Sequence, residues 1–172
     1  DGLLPILNAG SSPQGRDFAA RNSNVVFTVV GGPEDGAGIV EAIGPGVAGL
    51  AAGDRVYLSG TAPAPLNGTY AERALCAPAH VHPLPTRLTF SQGAAVNVAY
   101  ATAYRSIVDR ADARPGESIL VHGGSGGVGI AAIQIARAMG MRVLATAGTE
   151  RGRSLALEQG AREVFDHRSP DY

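Results

Sequence analysis

The stretch Ser118 to Met141, SILVHGGSGGVGIAAIQIARAMGM, constrains the fold more tightly than any other part of this chain. Ser118 to His122 is a short apolar run with β-branched residues, which predicts a buried strand. Gly124, Gly126 and Gly129 follow as G-x-G-x-x-G, and Gly123, Gly126 and Gly129 as the looser G-x-x-G-x-x-G. Behind them Val128, Ala132, Ile135 and Met139 fall on one face of a helix that Gly140 ends. Strand, glycine turn and helix, in that order, form a site for a pyrophosphate. The glycines let the chain turn and the ligand approach the backbone, while the free amides and dipole of the new helix hold its charge. Gly123, Gly124, Ser125, Gly126, Gly127, Val128 and Gly129 are therefore candidate dinucleotide-binding residues. The competing reading is a glycine-rich turn that only packs a helix on a sheet.

A second parallel strand is expected over Arg142 to Thr146. A site for NAD would place Asp or Glu near its end, about 20 residues past the glycines, to accept from the ribose hydroxyls. Here the tip reads Ala145-Thr146-Ala147-Gly148-Thr149 without an acid, and Arg151 and Arg153 follow. An uncharged tip with nearby cations suits a 2′-phosphate, so the sequence favours NADP(H), with Arg151 and Arg153 as candidate contacts. Glu150 could instead face the ribose or neutralise one arginine, and two solvated arginines are the plain alternative. Glu163 to Phe165 reads as a third strand.

The remainder of the chain bounds the function class. A formal net charge of -1 over 172 residues offers no basic field for nucleic acid, so no nucleic-acid partner is expected. The apolar runs, such as Val25 to Val30, are too short to span a bilayer, so no membrane association is expected. Cys76 is the single cysteine, which rules out an internal disulfide and points to a reducing compartment; cytoplasm is the expectation. Ser91-Gln92 opens a helical region that Tyr100 to Ala111 continues. Short stretches broken by Gly and Pro between Gly36 and Pro85 predict strands over Gly36 to Gly44, Arg55 to Leu58 and Thr69 to Ala77, and HVHPLP takes the chain out of the sheet.

The first thirty positions have a different texture. Leu3 to Leu7 reads as a strand, Arg16 to Arg21 as a short helix and Val25 to Val30 as a second strand, with Ser11, Ser12 and Gly15 at the helix start. The string ILNAGSSPQGRDFAARNSNVVFT resembles the flavin-dependent monooxygenases of the bacterial luciferase superfamily, in which this unit belongs to a TIM-type barrel and receives the FMN phosphate. The residues present cannot form a barrel. A strand-turn-helix carried over without flavin is the preferred reading of this segment.

EDGAGIVEAIGPGVAGLAAGDRVYLSG, GTYAERALCAPAHVHPLPTRLTFSQGAAV and VHGGSGGVGIAAIQIAR together resemble the medium-chain dehydrogenase/reductase superfamily, and within it the zinc-free quinone oxidoreductase branch. The resemblance runs from about residue 34 to residue 172. It implies a fold of α/β class, with a partial Rossmann-type parallel sheet preceded by part of a GroES-like β domain. It also implies that Thr102, in the T-x-Y pair with Tyr104, orients the nicotinamide carboxamide, and that His167 is a second adenosine-phosphate contact. A hydroxyl satisfied within its own helix is the alternative for Thr102. A homodimer is implied as well, although the segment that forms it need not be present. Where a zinc alcohol dehydrogenase carries G-H-E-G-A-G, this chain has Pro33-Glu34-Asp35-Gly36-Ala37-Gly38, with no histidine and no cysteine cluster, so no metal is expected. His80 and His82 read as surface loop residues rather than ligands, and Cys76 as a packed small hydrophobe.

The domains expected are 1–30, the luciferase-like segment; 31–96, the partial GroES-like domain; and 97–172, the N-terminal part of the nucleotide-binding domain. The family's N-terminal segment, with its active-site Asn and Tyr, has no counterpart, so a fusion or fragment is expected. Its exposed sheet edge would favour aggregation. The function expected is NADPH-dependent reduction of a small-molecule quinone or enone, with no catalytic side chain identified. An enoyl reductase of the polyketide or fatty-acid type, a fragment of an FMN-dependent monooxygenase and a non-catalytic nucleotide-binding protein are the alternatives.

Overall fold

The computed structural model describes residues 26–30, 36–59 and 73–170. Two compact units divide the chain, Asp1–Asn97 and Val98–Tyr172. The first is built on a period of two. Strands β1 (Val26–Val30), β2 (Ala37–Ile43), β3 (Arg55–Leu58), β4 (Arg73–Cys76) and β5 (Val81–Pro83) form a five-stranded sheet in the order β4-β1-β2-β3-β5. Every pairing is antiparallel, and the β1–β2 register shifts between Phe27 and Thr28. Alternate residues supply the core of this unit: Val40, Val56, Leu58, Ala74, Cys76 and Val81. Burial pushes the Cys76 thiol up to about 11, so it packs as a small apolar group and not as a nucleophile.

Two expectations change here. The HVHPLP run does not simply leave the sheet, because Val81 turns inward and the segment pairs with β3 as an edge strand. Pro83 is tolerated because an edge strand has one side without ladder bonds. The last strand of the expected luciferase-like unit is β1, which is hydrogen-bonded between β2 and β4 in the same sheet. The Leu3–Leu7 strand and the Arg16–Arg21 helix lie outside the described residues.

Helix α1 (Phe90–Tyr104) starts at a reciprocal cap. The Thr89 amide donates to Gln92 Oε1 (2.9 Å), and the Gln92 amide donates to Thr89 Oγ1 (3.1 Å). The helix widens into a π-helical turn over Arg105–Arg110, and Asp112 takes a left-handed φ of 48° just after it. Beyond lie β6 (Ser118–Val121), α2 (Gly127–Ala138), β7 (Arg142–Thr146), α3 (Glu150–Gln159) and β8 (Glu163–Phe165). The three strands are parallel, in the order β6-β7-β8, each joined to the next by a helix as parallel neighbours require. Ala103 and Ile107 join Val121, Ala131, Ala132, Ile133, Ala136, Val143, Ala145 and Ala156 in the core of this second unit.

The buried face of α2 is rotated from the one the apolar pattern suggested. Gly129, Ala132, Ile133 and Ala136 are buried, whereas Val128 is 41 % exposed and Ile135 and Met139 only flank the core. Small residues on the inward side let the helix lie close to the sheet, and closeness outweighs side-chain size. The β6 strand is also less buried than expected: Val121 is inside, but Leu120 is exposed, as is Phe165 on β8, because these are the outer strands of the three.

Ile133 is fully buried among alanines that cannot fill the space it occupies. Ile133→Ala should lower the unfolding free energy by about 2–5 kcal/mol, read from the denaturant midpoint at unchanged slope.

Candidate functional site

The glycine turn is held from two sides. Gly124 donates its amide to the Thr146 carbonyl at the end of β7 (2.8 Å), and Gly123 donates to Thr146 Oγ1 (3.1 Å). Thr146 is 1 % exposed, so a single buried residue fixes the start of the turn through two adjacent amides. Gly123 has a φ of +67°, which favours glycine, and its carbonyl accepts from the Gly126 amide (3.0 Å). A Cβ on Gly129 would fall inside contact distance of that carbonyl oxygen and 2.8 Å from the Gly124 Cα. Helix and turn thus touch backbone to backbone. Ala145 on β7 would clash in the same way with a side chain on Gly124 (2.8 Å).

What this geometry leaves open is the first turn of α2. Gly126 is the N-cap, in extended conformation, and makes no side-chain cap bond. The amides of Gly127, Val128 and Gly129 have no partner within the helix by its geometry, and the positive end of the helix dipole lies there. A Cβ on Gly127 would meet nothing within 4 Å. A bare, uncapped helix start beside a glycine turn fits a diphosphate. Ser125 turns the other way, toward α3, where its Oγ would be 2.9 Å from a Cβ on the buried Gly152.

The strand tips form the second part of the site. Thr149 caps α3 by accepting from the Gly152 amide (3.0 Å), and Glu150 occupies the first turn, where the helix dipole favours an acid. Arg151 is exposed. Arg153 is not a free cation: its Nη1 is 2.5 Å from Asp166 Oδ2, just past β8. The Arg168 amide donates to Asp166 Oδ1 (2.9 Å), and this bond, with the charges of Arg153 and His167, holds the Asp166 carboxyl below the usual aspartate range. His167 and Arg168 reach back over the β7 tip. A Cβ on Gly148 would lie 2.6 Å from Arg168 Nε and 2.8 Å from His167 Nε2. Gly148 is therefore where the ends of β7 and β8 meet.

Among the sequence-predicted residues, Gly123 to Gly129 and the Arg153–His167 region are assembled around the β6–β7–β8 tips. Thr102 lies on the exposed side of α1; its carbonyl accepts from Ser106 Oγ (2.8 Å), and no bond joins it to the glycine turn. The sequence reading missed Thr146, Asp166 and Arg168. A lone hydroxyl closing an apolar strand was the available signal for Thr146. For Asp166 and Arg168, the available signal was the neighbouring His167, which the family resemblance placed at the adenosine phosphate.

The alcohol dehydrogenase GroES-like domain matches residues 10–86, and the zinc-binding dehydrogenase domain matches residues 127–172. Quinone oxidoreductase from Homo sapiens is 51% identical over 138 residues, 80% of this chain and 41% of that protein. The chain belongs to the medium-chain dehydrogenase/reductase superfamily. Among solved members, Escherichia coli quinone oxidoreductase complexed with NADPH is 28% identical with a TM-score of 0.70, over 85% of this chain and 51% of that one. An NAD-dependent alcohol dehydrogenase is 31% identical with a TM-score of 0.78, over 88% and 58%. The chain thus spans about half the length of the relatives it matches or less. The first domain match begins at residue 10, inside the segment that resembled a flavin monooxygenase. Among the described residues, no helix is long and apolar enough to cross a membrane.

Thr146→Val keeps the shape of the buried side chain but leaves the Gly123 amide without its acceptor. The expected cost is about 1–3 kcal/mol of stability, read by chemical denaturation.

Proposed function

We propose that this chain is part of a zinc-independent reductase that uses NADPH to reduce a quinone or another activated alkene. The observation that carries the reading is the tip of β7. It presents Thr146, Ala147 and Gly148 in place of an acid, with Arg168 and His167 packed over Gly148. A carboxylate there would accept from ribose hydroxyls, whereas uncharged backbone beside cations suits a 2′-phosphate. In this reading the amides of Gly127, Val128 and Gly129 bind the diphosphate, and Gly123, Gly124, Ser125 and Gly126 shape the turn. Arg151, His167 and Arg168 face the 2′-phosphate. Arg153 serves indirectly, by holding Asp166 away from that phosphate. Thr102 supplies a hydroxyl to the nicotinamide carboxamide.

When bound, the nucleotide would supply a hydride, and the protein's part is to position it and exclude water. Zinc is not invoked, because Pro33 to Gly38 lacks the histidine a zinc dehydrogenase uses and the Cys76 thiol is buried and protonated. The 51% identity to quinone oxidoreductase supports the substrate class. The whole protein is proposed to act on small molecules in the cytoplasm as a homodimer.

Gly126→Glu gives a clean test of the nucleotide site. A Cβ at Gly126 would meet only the Gly123 carbonyl oxygen, at an ordinary 3.4 Å, so the fold tolerates it while a carboxylate takes the anion's place. NADPH fluorescence titration should show binding to the parent chain at least about tenfold tighter than to the variant, the loss of one charge-assisted bond or more. NADH should bind the parent more weakly than NADPH. If NADPH neither changes fluorescence nor raises the melting temperature, the proposal fails. Turnover of a crotonyl thioester but not a quinone by the whole protein would reassign the substrate to an enoyl thioester.

A further inference from the structure

The side of β3 and of the edge strand β5 that faces away from the core of the first unit carries a second cluster. Strands β3 and β5 pair with Tyr57 opposite His82 and Leu58 opposite Val81. The Ser59 amide extends the ladder by donating to the His80 carbonyl (2.9 Å). Residues two apart share a sheet face. Leu58 and Val81 therefore turn into the core, and Tyr57, Ser59, His80 and His82 line the other side, all part-exposed.

The polar heads converge on one atom. His82 Nε2 is 2.9 Å from Ser59 Oγ, and His80 Nδ1 is 3.5 Å from the same oxygen. A hydroxyl carries one proton, so it can donate to only one ring, and any bond to the other ring needs a proton from that ring. With one ring accepting and the other donating, the hydroxyl can bridge both imidazoles, and the same convergence of three lone-pair donors also suits a shared cation. A zinc ion with bonds of about 2.0 Å in tetrahedral geometry sets its ligand atoms about 3.3 Å apart, and 2.9 and 3.5 Å bracket that edge. The His82 ring is also held in place, since Tyr57 packs against it with centroids 5.1 Å apart and planes tilted by 34°.

We propose that His80 Nδ1, His82 Nε2 and Ser59 Oγ form a site for a borderline-soft divalent cation, with zinc as its representative. The two imidazole nitrogens are the strong ligands, the serine oxygen is a weak third, and water completes the shell. Among the described residues, no group of three or more His, Cys, Asp or Glu side chains is arranged to hold a metal ion. The site is accordingly open and reversible, not a structural clamp and not a catalytic zinc. Sequence alone offered His80 and His82 as loop residues; the strand register is what aligns them.

Titration of the full chain with zinc chloride by calorimetry tests this. One zinc per chain is expected, with the ring protons of His80 and His82 shifting together in NMR spectra. His80→Gln and His82→Gln should each weaken binding at least about tenfold, Ser59→Ala by less, and His122→Gln not at all. Because bound rings must be neutral, acidification should release the ion. Circular dichroism checks that each variant folds. Absence of saturable binding, or parental affinity in both His80→Gln and His82→Gln, overturns the proposal.

Discussion

Backbone contact between the start of α2 and the end of β6 is the constraint on which the second unit rests. Gly129 lies where any side chain would strike the Gly123 carbonyl, and Gly124 lies where one would strike Ala145. That contact brings the start of α2 close to the sheet, and Ile133 is the one large side chain its buried face carries, between Ala132 and Ala136. With Gly126 as N-cap, no hydroxyl or carboxylate competes for the first-turn amides, to which the proposed function assigns a diphosphate.

Charge is distributed with similar economy at the strand tips. Of the two arginines at the start of α3, Arg151 is exposed and Arg153 is held by Asp166. This pair is about one-third exposed on each side, so its worth to stability is modest. Its consequence is positional. Asp166, also gripped by the Arg168 amide, draws the chain after β8 into a turn that lays His167 and Arg168 over Gly148. The side chains packed over Gly148 at the β7 tip thus come from the turn after β8.

The parts of the fold governed by local rules were legible in the sequence. The glycine turn, the strands of the parallel sheet and the strands over 37–43 and 55–58 follow from periodicity and turn residues. The helix face was not, because Val128, Ile135 and Met139 form the more apolar stripe while the packing distance selects Gly129, Ala132 and Ala136. Strand β5 was hidden by two prolines and only three residues of length. Arg153 looked free because its partner is thirteen residues on, beyond a helix and a strand. Convergence of His80 and His82 on Ser59 depends on cross-strand register, which no single-strand pattern encodes.

The central claim is that peptide amides, exposed by a glycine cap, bind the nucleotide diphosphate. Amide-resolved NMR of the 15N-labelled chain titrated with NADPH addresses it directly. The account predicts saturable shifts of the Gly127, Val128 and Gly129 amides that track one binding curve. Saturable NADPH binding that leaves those three amides unmoved would contradict it.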